Sequence, residues 1–256
     1  MNGPRAKVER ANEHISDLVS EIERFHHRNP YEVVREIEAD TGDLLYSFRV
    51  RVALSPRLAL IAGDAVHNLR SALDLLYRRL VEVNGKPPSE SDAFPIFKSR
   101  TKAESGLGQV EGRIGRAAGR AVGGLKPYPG GNDGLWRLRE LDVIDKHRLL
   151  LAIWASSRSV VFHHKMPVPW QDEPVILPPI AIGEVSRDCL EEGSPLTRIS
   201  PESLASDMHK DPEFRIEIAL DEPPVVQCEP LIPTLNDLAG LVSEIVELFA
   251  PHIEEH

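Results

Sequence analysis

The sequence predicts an α+β fold, a bundle of three to four long helices packed with an antiparallel β-sheet. Three observations carry that expectation. Apolar residues recur three and four apart from Pro4 to His27, alternating segments flank a turn at "TGD", and a long amphipathic stretch follows Ser55-Pro56.

Each element follows from its residues. In the first helix Val8, Ala11, Ile15, Leu18, Ile22 and Phe25 form one seam, and Pro30 ends it. "YEVVREIEAD" and "LLYSFRVRVAL" predict a β-hairpin, with Tyr46, Phe48, Val50, Val52 and Leu54 on one side. Ser55 caps the second helix, Pro56 suits its first position, and Asn84-Gly85 closes it. "FPIF" (Phe94 to Phe97) reads as an apolar plug in a loop. A Gly-interrupted helix is expected from Thr101 to Gly124, and another from about Leu135 to Leu151. "SSRSVVFHHK" and "FRIEIAL" read as strands. Twelve of the 21 prolines fall between Lys165 and Pro233, which predicts loops and edge strands. A last helix runs from about Leu235 to Pro251. The whole is expected to be a single α+β domain over residues 1–256, with a helical core and hairpin (1–164), a Pro-rich region (165–233) and a C-terminal helix (234–256).

Composition narrows the setting. A formal net charge of -10 disfavours broad binding to nucleic acid or anionic membranes. No apolar run approaches the roughly 18–20 residues that span a bilayer, and the charged N-terminus has no apolar signal region. Cys189 and Cys228 match no metal or redox spacing, so free thiols in a reducing, cytoplasmic compartment are expected.

The chemistry concentrates in two helices. On the second, Asp64, His67, Ser71, Asp74 and Arg78 form a polar stripe opposite Leu58, Ala62, Leu69, Leu73 and Leu76, at about 100° per residue. By amphipathicity alone that stripe is a solvated face. In "LWRLRELDVIDKHRLLL", however, Asp145 projects to the centre of the apolar face made by Leu135, Leu138, Leu141 and Leu149, flanked by Asp142 and Arg148. A buried carboxylate must be hydrogen-bonded or paired. Arg148, or His67 and Arg70 of the second helix, are the expected partners.

"GDAVHNLRSALDLL" together with "LWRLRELDVIDKHRLL" resembles a family of uncharacterised bacterial proteins with a GD-x-x-HNLRSALD helix, an FPIF-like segment, a P-Y loop and an L-x-x-ID-K-H-R helix. The matching positions are Gly63, Asp64, His67 to Asp74, Phe94 to Phe97, Pro127-Tyr128 and Ile144 to Arg148. The resemblance covers roughly the N-terminal 150 residues. It implies kinship without an activity, since the family has none established. Many members carry His where this chain has Leu75, a departure that tells against catalysis if that position serves it.

Three readings of the cluster follow. In one, Asp64, His67, Arg70, Asp74, Asp145 and His147 form an acid–base site suited to phosphodiester or other hydrolysis. In another, Asp64 and His67 share a metal ion across one helical turn. In the third, the cluster is a satisfied polar knot that fixes helix register, and function lies in binding a ligand or partner. The third is preferred, with a hydrolase using His67 or His147 as the runner-up. A small ligand, a protein or a second copy of the chain are the expected partners; no cofactor or metal is assigned.

"GRIGRAAGRAVGGLK" adds a local basic patch. Residues 100–126 carry Arg100, Lys102, Arg113, Arg116, Arg120 and Lys126 against Glu104 and Glu111. Arg113, Arg116 and Arg120 are therefore candidates for a phosphate or RNA backbone, against a bland reading as solvated arginines on a Gly-weakened helix. The terminal "HIEEH" matches H-x-x-E-H but stands in the last five residues, and "RSVVFH" falls on an expected strand; both are set aside.

Overall fold

The computed structural model describes residues 1–162, 165–166, 175–176, 180–182, 187–200 and 212–254. Helix α1 spans Asn2–His26, and its buried residues Val8, Ala11, Ile15, Leu18 and Phe25 are the seam of the sequence pattern. Strands β1 (Tyr31–Ile37) and β2 (Leu44–Val50) pair antiparallel, with Val33 opposite Phe48. Helix α2 (Pro56–Val83) begins where Ser55 accepts a hydrogen bond from the Arg57 N–H. It stops at Asn84 with Gly85 left-handed at φ 71°.

The Gly-interrupted helix is two helices, α3 (Arg100–Ile114) and α4 (Arg116–Gly124), broken at Gly115. Gly115 adopts φ 88°, which any side chain resists. Helix α5 spans Asp133–His147, capped by Asn132, which accepts from the Leu135 N–H. It ends short of the expected Leu151 because Arg148 is fully extended (φ -162°, ψ 161°). Leu149 and Leu151 lie outside the helix and are exposed.

After α5 come β3 (Ala152–Phe162), β4 (Lys165–Met166), β5 (Val175–Ile176), β6 (Ile180–Ile182), β7 (Arg187–Leu190), β8 (Pro195–Ile199), β9 (Pro212–Glu222) and β10 (Val226–Pro230). Helix α6 (Leu231–Phe249) starts four residues before the expected Leu235. Pro233 sits in its first turn, where a missing N–H breaks no hydrogen bond. A final turn covers Pro251–Glu254.

The α+β class holds. One antiparallel sheet runs β1-β2-β8; a second runs β10-β9-β3-β6, with β7 also on β3. One contiguous core joins α1, α2, α5 and α6 to β3 and β9 through residues such as Leu69, Leu138, Val242, Trp154 and Leu220. Each fully buried leucine contributes roughly 1.5–3 kcal/mol relative to exposure. Trp154 stacks on Phe25 and meets Tyr31 and Phe48, tying α1 and the hairpin to the second sheet.

The expectation of free thiols is corrected. Cys189 on β7 and Cys228 on β10 form a disulfide with Cα atoms 5.5 Å apart. Their 39-residue separation carries no sequence signal for that pairing. No helix among the described residues is long and apolar enough to cross a membrane. His163, His164 and much of the Pro-rich region lie outside the described residues, as do the last two residues of "HIEEH".

Candidate functional site

Helix α5 buries Leu135, Leu138, Leu141 and Asp142. The acid placed deepest is thus Asp142, whose side chain is 4% exposed, one turn before the expected Asp145. The physical reason is the early helix end. With the helix ending at His147, Asp145 lies in its last turn and Leu149 does not extend the apolar face over it, whereas Asp142 lies one turn deeper beside Leu138 and Leu141.

Asp142 receives two cations or donors. Its Oδ1 lies 3.1 Å from Nδ1 of His67 on α2, and its Oδ2 accepts from Lys146 Nζ at 2.5 Å. A carboxylate only accepts, so in the neutral imidazole Nδ1 carries the proton and Nε2 is left as the basic nitrogen. That nitrogen is 3.5 Å from the Ser71 hydroxyl, four residues along α2. The His67 side chain remains 53% exposed. Asp142, His67 and Ser71 therefore form a chain of orienting acid, imidazole and hydroxyl.

Asp145 packs against α2 at Gly63. A β-carbon at residue 63 would overlap its carboxylate, so the bare glycine is what admits it. Among the described residues no hydrogen bond or ion pair reaches the Asp145 carboxylate. Burial pushes it above the ordinary carboxylate range, and the charges of Asp142 and Asp64 push the same way; His67 and Lys146 oppose them. Arg148 does not answer it, being tied instead to buried Glu222 on β9 at 2.9 and 2.5 Å.

Arg70 and Asp74 do other work. Arg70 Nη2 donates to Asp74 at 2.7 Å and to the Phe94 carbonyl at 2.9 Å, while the Phe94 N–H donates to Asp74 at 2.9 Å. The pair clamps both backbone groups of Phe94, whose ring is buried against Phe249. Burial raises the Asp74 carboxyl, with Arg70 pulling it back, and lowers Arg70. Nη1 of Arg70 is buried without a hydrogen-bond partner among the described residues. Asp64 is exposed, and its carbonyl accepts from Asn68 at 2.8 Å. Asn68 in turn accepts from Lys7 of α1 at 3.0 Å. His147 is exposed at the end of α5, and among the described residues no hydrogen bond or ion pair joins it to the cluster.

The basic patch divides in the same way. Arg113 grips Asp92 at 2.8 and 2.6 Å and the Pro87 carbonyl at 2.7 Å, holding the Asp92 carboxyl down at about 2. It is a brace for the loop after α2. Arg116 and Arg120 are exposed.

A cleft of about 300 Å³ opens beside the site, with Lys7, Ser71, Asp74, Arg78 and Glu90 among its walls. Ser71 is the side chain that sequence reasoning passed over as part of a wet stripe. Its place four residues after His67 was the available signal, since such pairs share one helix face. Asp64 and His67 do not gather with a third metal-ligating group: among the described residues the one such gathering is elsewhere, at Cys189, Asp221 and Cys228. No known protein family, curated protein or solved structure matches this chain.

Proposed function

We propose that the face of α2 between Lys7 and α5 is a binding site for a small polar ligand, which lies in the cleft at Ser71 and meets the His67 imidazole. One observation carries this reading: an imidazole oriented by a buried carboxylate, yet half open to solvent beside a cleft. A polar knot built only for register buries its own members. The cleft also falls at the lower end of ligand-sized volumes, about 300–1,000 Å³.

The test is a panel of amino acids, nucleosides and sugar phosphates, scored by the imidazole signals of His67 and by the melting midpoint. A binder shifts both in wild type and leaves the melting midpoint of His67→Ala unmoved. If no compound moves the His67 signals, or if the shift survives in His67→Ala, the reading fails.

The Asp142–His67–Ser71 chain favours a second reading, hydrolysis with His67 as general base. Against it stands the helical setting of Ser71, where neighbouring N–H groups are used within α2 and cannot stabilise an oxyanion. Activity on an ester or phosphodiester, lost in both Ser71→Ala and His67→Ala with unchanged melting, would establish it. A cytoplasmic setting belongs to the same proposal. In that setting Cys189 and Cys228 would be held as thiols, with their disulfide opened.

A further inference from the structure

The second sheet holds a separate gathering of reactive groups. Cys189 on β7, Asp221 on β9 and Cys228 on β10 bring two sulfurs and a carboxylate oxygen within 4.8 Å of one another. β7 and β10 stand on opposite sides of the β9-β3 pair, so the sheet curls until its margins meet. The pairing of β9 with β10 slips between Val226 and Glu229, a bulge that contains Cys228. Cys228 adopts φ 49°, left-handed for a residue other than glycine. Bulges re-aim side chains at functional positions, and non-glycine residues held in this region cluster at such sites. The Cys228 N–H points to Asp221 Oδ1 at 3.4 Å, which holds the acid beside the sulfurs.

We propose that in the reduced chain Cys189, Cys228 and Asp221 bind one zinc-class divalent cation, and that forming the disulfide closes the site. A dithiol reductant delivers two electrons and two protons to the disulfide and becomes a disulfide itself, leaving two thiols. Cation binding then releases both thiol protons as the sulfurs become thiolate ligands. Zinc–thiolate bonds of about 2.3 Å in a tetrahedron place two sulfurs about 3.8 Å apart. Cα atoms 5.5 Å apart accommodate that separation once the bond is broken. Two sulfurs select against magnesium and calcium, which take oxygen ligands. Three protein ligands leave a fourth position for water or an incoming group. Cys189 and Asp221 are half-buried and Cys228 is buried, so the ion enters from the Cys189 side.

The experiment uses the full chain, reduced with a phosphine, stripped with a chelator and titrated with Co²⁺ without oxygen. One Co²⁺ per chain is expected, with thiolate-to-cobalt charge-transfer absorption and tetrahedral ligand-field bands that Zn²⁺ abolishes by displacement. The oxidised chain binds none. Cys189→Ser and Asp221→Asn should each lose more than the about 10- to 100-fold in affinity that even outer partners of a metal supply. Absence of charge-transfer absorption in the reduced wild type, or undiminished affinity in Cys189→Ser, overturns the proposal. Should the serine variant fail to fold, alkylation of the reduced wild type decides instead. Zn²⁺ must slow modification of both cysteines, and equal rates with and without it overturn the proposal.

Discussion

The two halves of α2 both bear polar side chains and use them differently. Toward its C-terminal end, Arg70 and Asp74 are consumed by the backbone of Phe94, and the nearby Asp92 is consumed by Arg113. Toward its N-terminal end, His67 is half exposed and the neighbouring Asp145 has no partner among the described residues. Charged groups become structural where a loop presents backbone donors and acceptors to them. Asp145 instead faces α2, whose backbone groups are already spent internally, and finds none to bind. The difference separates clamp from site within a single motif-bearing helix.

The largest break of that comparison is on the clamp side. Arg113→Ala strands a carboxylate whose side chain is 5% exposed. We expect a loss of about 3 kcal/mol in urea denaturation at pH 7, near the low end of a broken buried pair. Because Arg113 depresses Asp92 to about 2, the stability it gives is present above the ordinary value of about 3.9 and fades as pH falls toward 2. The deficit of the variant should shrink over that window. Arg70→Ala should lose less, about 2 kcal/mol, because Asp74 is 34% exposed and water takes up part of its charge. A loss below about 0.5 kcal/mol in either variant would remove the clamp from the account.

Gly63→Ala sharpens the site side. The new methyl displaces the Asp145 carboxylate toward solvent. Relief of helix-interior glycine, about 1 kcal/mol, offsets the lost packing, so net stability should change by less than about 1 kcal/mol. Carboxyl NMR should show Asp145 back in its ordinary range. An Asp145 titration unchanged from wild type would contradict the close approach.

Much of the scaffold was legible in the sequence. The α1 seam, the hairpin at "TGD", and the caps at Ser55 and Asn84 rest on local periodicity and backbone chemistry, which sequence records directly. An acid–imidazole contact between α2 and α5 was also readable. The acid was displaced by one turn, because nothing local announced that Arg148 would be extended. The clamp was not readable, since its partners are the Phe94 N–H and carbonyl, and a backbone group leaves no mark in residue identity. The disulfide depends on a curled sheet that no spacing encodes.

The central claim is that Asp145 is held partly desolvated against Gly63, with no hydrogen-bond or ion-pair partner among the described residues. An acid raised in the fold stabilises the chain below its unfolded value and loses that contribution as pH rises through the raised one. The most direct measurement is therefore the melting midpoint of Asp145→Asn against wild type from pH 7 down to pH 4. The account predicts a variant that melts higher at pH 7, by an amount within about 1 kcal/mol for a half-exposed group, with the gain vanishing toward pH 4. A variant that melts lower at pH 7 would mean that Asp145 already has its partner within the fold.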